Sequence, residues 1–415
     1  MTQWAPVWRV EIAGVEYTSV VLANLTITSG RTNIYEQAQA GYCTINLINL
    51  NLAAVTADIN DSLSVEVKDS TGTFVPIFGG NIVDVAITVS QVGSVQITQE
   101  VTITALGALA RLQKALTDGV LSQDFDGNQI YTILREVLFD RWNQVAPALT
   151  WAAYDPAVTW ATAQNNGLGT IDTPGNYELE QRTTSRTDIY SLVSALATSG
   201  LGYLYEDANG LISYGDSTHR TTYLSTYGFT DLSANHALGR GIKTITRAGD
   251  VRNQITLQYG SGSSSEVSDE DADSIMTYGA LAQIITTTIK HAADATAQAA
   301  FYLSLRANPA PIFSSITYAL TNPELDDGDR DALINAFMGQ PIALNDLPSN
   351  MSSGVFQGFL EGWTFNASYK ELSITLNMSP LAYSSQAMRW NDVPIVETWS
   401  SVSALLDWAN ATIVS

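Results

Sequence analysis

The chain has 415 residues, of which 45% are apolar and 14% charged, and its 41 acidic and 19 basic side chains leave a net charge of −22. A balance this acidic is repelled by phosphate backbones and anionic lipid headgroups, which argues against a nucleic-acid or membrane-surface binder. At roughly 100–200 residues per domain the length suits two to four domains, and a charged share below the usual ~25% leaves a Ser/Thr/Asn/Gln-rich exterior suited to broad protein interfaces.

From Trp8 to about Leu116 the pattern is nearly all strand. Val7–Ile12 leads into a turn at Ala13-Gly14, Tyr17–Ser29 forms the next strand, and Gly30–Asn33 breaks the chain before Gly41–Leu50. Ser62–Val67 alternates cleanly after the turn at Ile59–Asp61. So many strands with regular turn signals predict a small barrel or sandwich. Cys43, the single cysteine, sits in one of these alternating strands, where a buried inert thiol is expected and no disulfide can form.

After Leu109 the period changes. Ile130–Phe139 carries apolar residues at helical spacing, with Asp126-Gly127-Asn128 as a capping loop. Tyr154–Glu178, next to Trp151 and including Trp160, reads as a long irregular excursion. A second helix is predicted over Asp188–Thr198, stopped at Gly200, and a hairpin over Tyr203–Tyr214 with an Asn-Gly tip. Residues 117–240 therefore form an α+β insert between β modules.

Strands return at Ile242–Ile245 and Asn253–Tyr259, followed by a solvated acidic loop over Ser261–Ser274. An Ala-rich helix at 288–306 ends before Pro309 and Pro311. Ser314–Leu320, Pro341–Leu344, Gly354–Trp363 and Ser373–Met378 complete a second β module. Val75–Val85 with the alternation Val95–Leu106, and Val355–Trp363 with Glu371–Met378, follow one template about 280 residues apart: strand, Gly-marked bend, strand, hairpin, strand. In the last thirty residues Trp390, Trp399 and Trp408 recur every nine positions. Too little chain lies between them for a core, and Trp is a preferred anchor, so they are candidates for docking on a partner or on the chain's own surface.

Catalytic patterns are missing. Gly260-Ser261-Gly262-Ser263-Ser264 lacks the last glycine of a nucleophile elbow. His219, His236 and His291 are far apart in sequence, without metal-ligand spacing, and no phosphate-cradling glycine loop occurs. Three acidic clusters, Asp124–Asn128, Glu266–Asp273 and Glu324–Asp331, lack the offsets of a calcium loop. Asp126 and Asp329 instead suit positions just before helices. No catalytic, cofactor or metal residue is assigned. No signal peptide is visible, and no apolar run approaches the ~20 residues of a bilayer span, so a soluble protein made in a cytoplasm is expected.

The runs Leu25–Asn33, Ala40–Asn49, Phe78–Asp84, Leu106–Leu112, Leu204–Gly210, Val251–Ile255 and Tyr278-Gly279, with the Trp-rich tail after Pro380-Leu381, resemble minor tail proteins of siphophages that infect actinobacteria. Proteins of that kind are similar to the central baseplate hub of contractile phages. The resemblance implies a mainly β chain with two related small tail-tube-like β-barrel domains at 1–116 and 241–385, the α+β domain at 117–240, and a docking tail at 386–415. It implies a homotrimer at the virion tail tip, assembled in the host cytoplasm. The trimer would form a pseudo-sixfold ring below a distal tail or tail-tube protein and above tip or fibre proteins. DNA would pass through it during ejection without sequence-specific binding, membrane insertion or enzymatic activity. The alternatives are a receptor- or glycan-binding tail protein, with Trp151 and Trp160 as a sugar platform, and a cell-wall-degrading tail enzyme.

Overall fold

The computed structural model describes residues 4–17, 21–34, 36–49, 55–90, 98–139, 168–309, 312–349, 351, 354–368 and 370–381. Seven strands open the chain: β1 (Trp8–Ile12), β2 (Val15–Glu16), β3 (Val21–Gly30), β4 (Tyr42–Asn49), β5 (Ser62–Lys68), β6 (Phe74–Ser90) and β7 (Thr98–Leu106). Their alternation does what period-2 patterning requires. Cys43, Ile45 and Leu47 of β4, Leu63, Val65 and Val67 of β5, and Val101, Ile103 and Ala105 of β7 are buried, while the intervening residues are not. Cys43 is fully enclosed, and burial pushes its thiol far above the ordinary range, so it is inert.

The middle of the chain adds α1 (Leu109–Leu112), β8 (Leu116–Thr117), β9 (Asp124–Phe125), α2 (Asp126–Phe139), β10 (Leu168–Ile171), β11 (Glu178–Leu179) and β12 (Thr187–Asp188). Then come α3 (Ile189–Ser199), the hairpin β13 (Tyr203–Glu206) and β14 (Ile212–Gly215), and α4 (His219–Tyr227). The expected N-cap of α3 is present: the Asp188 side chain accepts from the Ser191 N–H, and Gly200 closes the helix. Asp126 departs from its expected role. It is the first residue of α2, and its carboxylate accepts from the Asn176 and Tyr177 N–H groups across the fold.

The last third holds β15 (Thr230–Ser233), β16 (Ile242–Ile245), β17 (Gln254–Tyr259), β18 (Ser265–Glu270), α5 (Ala272–Tyr278), β19 (Ala282–Thr286) and α6 (Ala292–Arg306). It ends with β20 (Ile312–Ala319), α7 (Asp327–Ile334), β21 (Pro341–Asn345), β22 (Phe356–Ser368) and β23 (Glu371–Pro380). The stretch expected as a solvated loop, Ser261–Ser274, is mostly β18 and the start of α5. Its acids defeated a strand prediction, yet Glu266 and Glu270 lie exposed on the outer side of a three-stranded sheet, β18-β17-β19, that packs on α6. At α7 the cap is Asp326, which accepts from the Asp329 N–H, so Asp329 lies within the first turn.

Thirteen strands form one sheet, in the order β16-β20-β23-β22-β3-β4-β7-β6-β5-β1-β2, with β15 and β21 joined to it through β22. The chain is mainly β, and no closed barrel is seen among the described residues. β22 pairs antiparallel with β3 from Gly362↔Gly30 to Ser368↔Asn24, so one seam unites the two ends of the sequence.

The duplicated template goes further than its sequence suggested. β1, β3, β4, β5, β6 and β7 recur as β15, β16, β20, β21, β22 and β23, in the same chain order and with the same neighbours. One pairing differs in sense: β1·β5 is antiparallel and β15·β21 parallel. The Gly-marked bend of each copy lies within a single continuous strand and does not divide two. A bulge stands at the matching place in each, between Ile82 and Asp84 against β7 and between Leu360 and Gly362 against β23.

Candidate functional site

The docking candidates Trp390, Trp399 and Trp408, and Trp151 and Trp160, lie outside the described residues. The histidines stay apart, each beside a carboxylate: His219 Nδ1 is 2.6 Å from Asp172, His236 Nδ1 3.6 Å from Asp329, and His291 Nε2 2.6 Å from Glu178. The acidic clusters are occupied by local bonds. Asp124 accepts from Asn128 Nδ2, Asp271 caps α5 at the Ser274 N–H, Asp327 pairs with Arg330, and Asp331 accepts from the Ser70 N–H. Among the described residues no three His, Cys, Asp or Glu side chains are grouped to hold a metal. No helix there is long and apolar enough to cross a membrane.

What the fold does assemble is a junction that sequence reasoning missed. Glu361 of β22 is 1% exposed and carries two guanidiniums. Arg31 Nε donates to Oε2 at 2.7 Å, while Arg220 of α4 donates through Nη1 to Oε1 at 2.7 Å and through Nη2 to Oε2 at 3.0 Å. Ser379 Oγ donates to Oε1 at 2.5 Å. Burial alone would raise the Glu361 carboxyl, but the Arg220 and Arg31 charges override it and hold it well below the usual carboxylate range. The Arg220 guanidinium lies 4.4 Å from the centre of the Tyr203 ring. One cluster thus ties β3, the insert and the second β half together. Gly30 makes it possible: at φ +83° it turns β3 outward, and a Cβ there would sit 2.3 Å from the Glu361 carbonyl oxygen. The adjoining cavity, bordered by Arg31, Gln37, Tyr203, Asp216 and Arg220, measures about 70 Å³, room for a few waters and not for a substrate.

The hairpin β13–β14 makes two further contacts with the first β half. Its Asn209-Gly210 tip lies directly on Gly79 of β6, where a Cβ would fall 2.4 Å from the Asn209 carbonyl carbon. Next to that tip, at the end of β13, Glu206 accepts from the Leu109 N–H at 3.0 Å and from the Gly41 N–H. Burial lifts the Glu206 carboxyl to about 7, against the pull of those amides. The folded chain therefore binds the proton more tightly than the unfolded chain. The stability linked to Glu206 is complete below about 4.5 and is lost as pH rises through about 7. Thermal melts of the native chain should fall between pH 5 and pH 8, and Glu206→Gln should flatten that fall. Equal slopes in both proteins would remove the assignment.

The junction holds elements in place; its one hydroxyl on the carboxylate, Ser379 Oγ, is buried with Glu361 against the two guanidiniums. Solved structures with a similar fold include two tail proteins. The tail protein from Neisseria meningitidis superposes with a TM-score of 0.58 at 12% identity, over 92% of this chain and 98% of that one. The 43 kDa tail protein of prophage MuSo2 from Shewanella oneidensis gives 0.54 at 11% identity, over 91% and 99%. The chain has a phage tail-protein fold. No protein-family model and no curated protein matches it in sequence. A tail-protein fold held at such low identity rests on the pattern of strand pairing, and in this chain the Arg31–Glu361–Arg220 cluster and the Glu206 contact secure that pattern.

A lone acid inside the apolar run Phe359-Leu360-Glu361-Gly362-Trp363 was the available signal for the junction, since an ionised group in such a strand needs a buried partner. Nothing local pointed to which arginines supply it.

Proposed function

We propose that the chain is a structural hub protein of a phage tail tip, three copies of which form a ring of near-sixfold geometry. One observation carries the reading: six strands recur with the same order and neighbours in both halves of the sheet, so three chains supply six similar units. Such a ring fits a sixfold tail tube or distal tail ring on one side and threefold tip components on the other. The tube-like units are assigned to residues 1–116 and 241–385, with β15 (Thr230–Ser233) added to the second from the end of the insert at 117–240, and partner docking to 386–415 with Trp390, Trp399 and Trp408. The likeness to tail proteins supports the setting, and a net charge of −22 suits a channel that DNA crosses without adhering. The role is mechanical, without catalysis.

Native mass measured across a concentration series tests this. A species at three times the 44.7 kDa chain mass is expected, imaging as a ring with six similar lobes. A monomer at every concentration that binds glycans, or that releases peptidoglycan fragments, would replace the hub with one of the alternatives.

A further inference from the structure

The second half of β6 is an open sheet edge. β5 pairs with β6 only as far as Asn81, while β7 bonds its other side through Ser90, so among the described residues Asp84–Ser90 is paired on one side. Ile87 is 53% exposed and Val89 64%. Val83–Ser90 holds one charge, Asp84, and neither lysine nor proline. Edges left in solvent are normally guarded by such residues, because an unguarded one templates pairing with another chain. At the far end of the same run of strands lies β16, which among the described residues pairs with β20 alone.

The chain carries its own template for what covers this edge. β22 is the counterpart of β6, and β3 of β16. The seven residues of β22 beyond its bulge, Gly362–Ser368, are the ones that pair with β3. Their counterparts beyond the bulge of β6 are Asp84–Ser90, the unpaired stretch. The path from β16 to β6 contains eight strands, each antiparallel to the next. With an even number, a second copy rotated about a common axis continues the alternation, and its β16 meets β6 antiparallel, as β3 meets β22.

The register follows as well. The row Leu25–Ile45–Ile103 across β3, β4 and β7 matches Ile242–Ile316–Leu376 across β16, β20 and β23. Leu25 faces Ala367 in the seam, and the β6 counterpart of Ala367 is Val89. Copying the seam sets Val89 opposite Ile242 of the second copy, Thr88 opposite Lys243 and Ile87 opposite Thr244. Carried to its end, it sets Asp84 opposite Arg247, which is exposed and has an extended backbone (φ −128°, ψ 129°). Two exposed residues of opposite charge thus meet at the rim.

We infer that Asp84–Ser90 of one copy pairs antiparallel with the strand Ile242–Ile245, extended to Arg247, of the next copy, head to tail, and that this edge is the contact that builds the ring. The number of copies in the ring rests on the hub reading; the pairing itself does not. A head-to-tail contact uses two different patches and so generates closed rings or open filaments.

The test is a full-length chain with Val89→Cys and Ile242→Cys, oxidised and run without reductant; directly opposed residues of antiparallel strands lie close enough for a disulfide. A ladder of interchain cross-links ending at three chains is expected, with none beyond a dimer in either single variant. Asp84→Arg alone and Arg247→Asp alone should each weaken association by about tenfold or more, and the double reversal should restore it. A trimer by native mass that neither cross-links nor responds to the reversals would overturn this contact and leave the hub standing. A monomer without cross-links at any concentration would overturn both. Cross-links that run on past three chains would support the edge pairing and overturn the ring of three.

Discussion

Glu361→Gln should lower the stability of the folded chain by about 3–5 kcal/mol, because it removes the carboxylate that, among the described residues, pairs with both buried guanidiniums. Arg31 and Arg220 are 8% and 4% exposed, so bulk solvent does not screen them, and the few waters the adjoining cavity has room for carry no charge to replace the carboxylate. The contrast is Glu66, whose pair with Arg9 is partly open to solvent, with side chains 13% and 30% exposed. Glu66→Gln should cost no more than about 1 kcal/mol. Urea titrations report both as shifts in midpoint at constant slope. Equal losses in the two variants would mean that the cluster around Glu361 contributes nothing special. Because the cluster joins Arg31, just after β3, to Arg220 of α4 and Glu361 of β22, its loss should also loosen the insert. Protease cleavage within 168–227 at rising urea would then precede global unfolding.

Phe365→Ala strikes the seam itself. Phe365 is 1% exposed, paired across from Ile27 of β3 on one side and Ile374 of β23 on the other. Deleting a buried phenylalanine side chain usually costs about 3–5 kcal/mol, as lost transfer energy plus the cavity left behind. The location adds a qualitative effect, since β22·β3 is where the two halves of the sheet meet. Calorimetry of the native chain should show the halves melting together, and in Phe365→Ala the transition should broaden or split. Ile103→Val, within the first half, should shift the midpoint by about 0.5–1.5 kcal/mol without splitting it. A variant at Phe365 that melts as sharply as the native chain would show that the halves are coupled elsewhere, with the Glu361 cluster the next place to look.

Much of the local structure was readable from the chain. Alternation placed β4, β5, β7 and β23, Asp188 and Gly200 bracketed α3, and Asn209-Gly210 marked a hairpin tip. Misreadings fell where local chemistry pointed elsewhere. The acids Glu266, Asp269 and Glu270 read as loop, although pairing with β17 holds them in a sheet. The glycines at 79 and 80 read as a bend between strands, although Gly79 exists to receive the Asn209-Gly210 tip. α4 went unread because its sequence, His219–Tyr227, has little apolar periodicity and its buried residue is a charged one, Arg220.

By itself the sequence determined the elements, the repeat of one strand pattern in both halves, the inert Cys43 and the absence of catalytic motifs. Each of these depends on side chains within a few residues of one another. The tertiary structure alone decided that the repeated halves share one sheet, that Glu361 binds arginines 330 and 141 residues away, and that one side of Asp84–Ser90 is unpaired among the described residues. Backbone hydrogen-bonding groups are the same along every strand, so partner choice depends on how the whole set of strands packs. A charge in an apolar strand can announce that it needs a partner, but only the folded chain brings that partner to it.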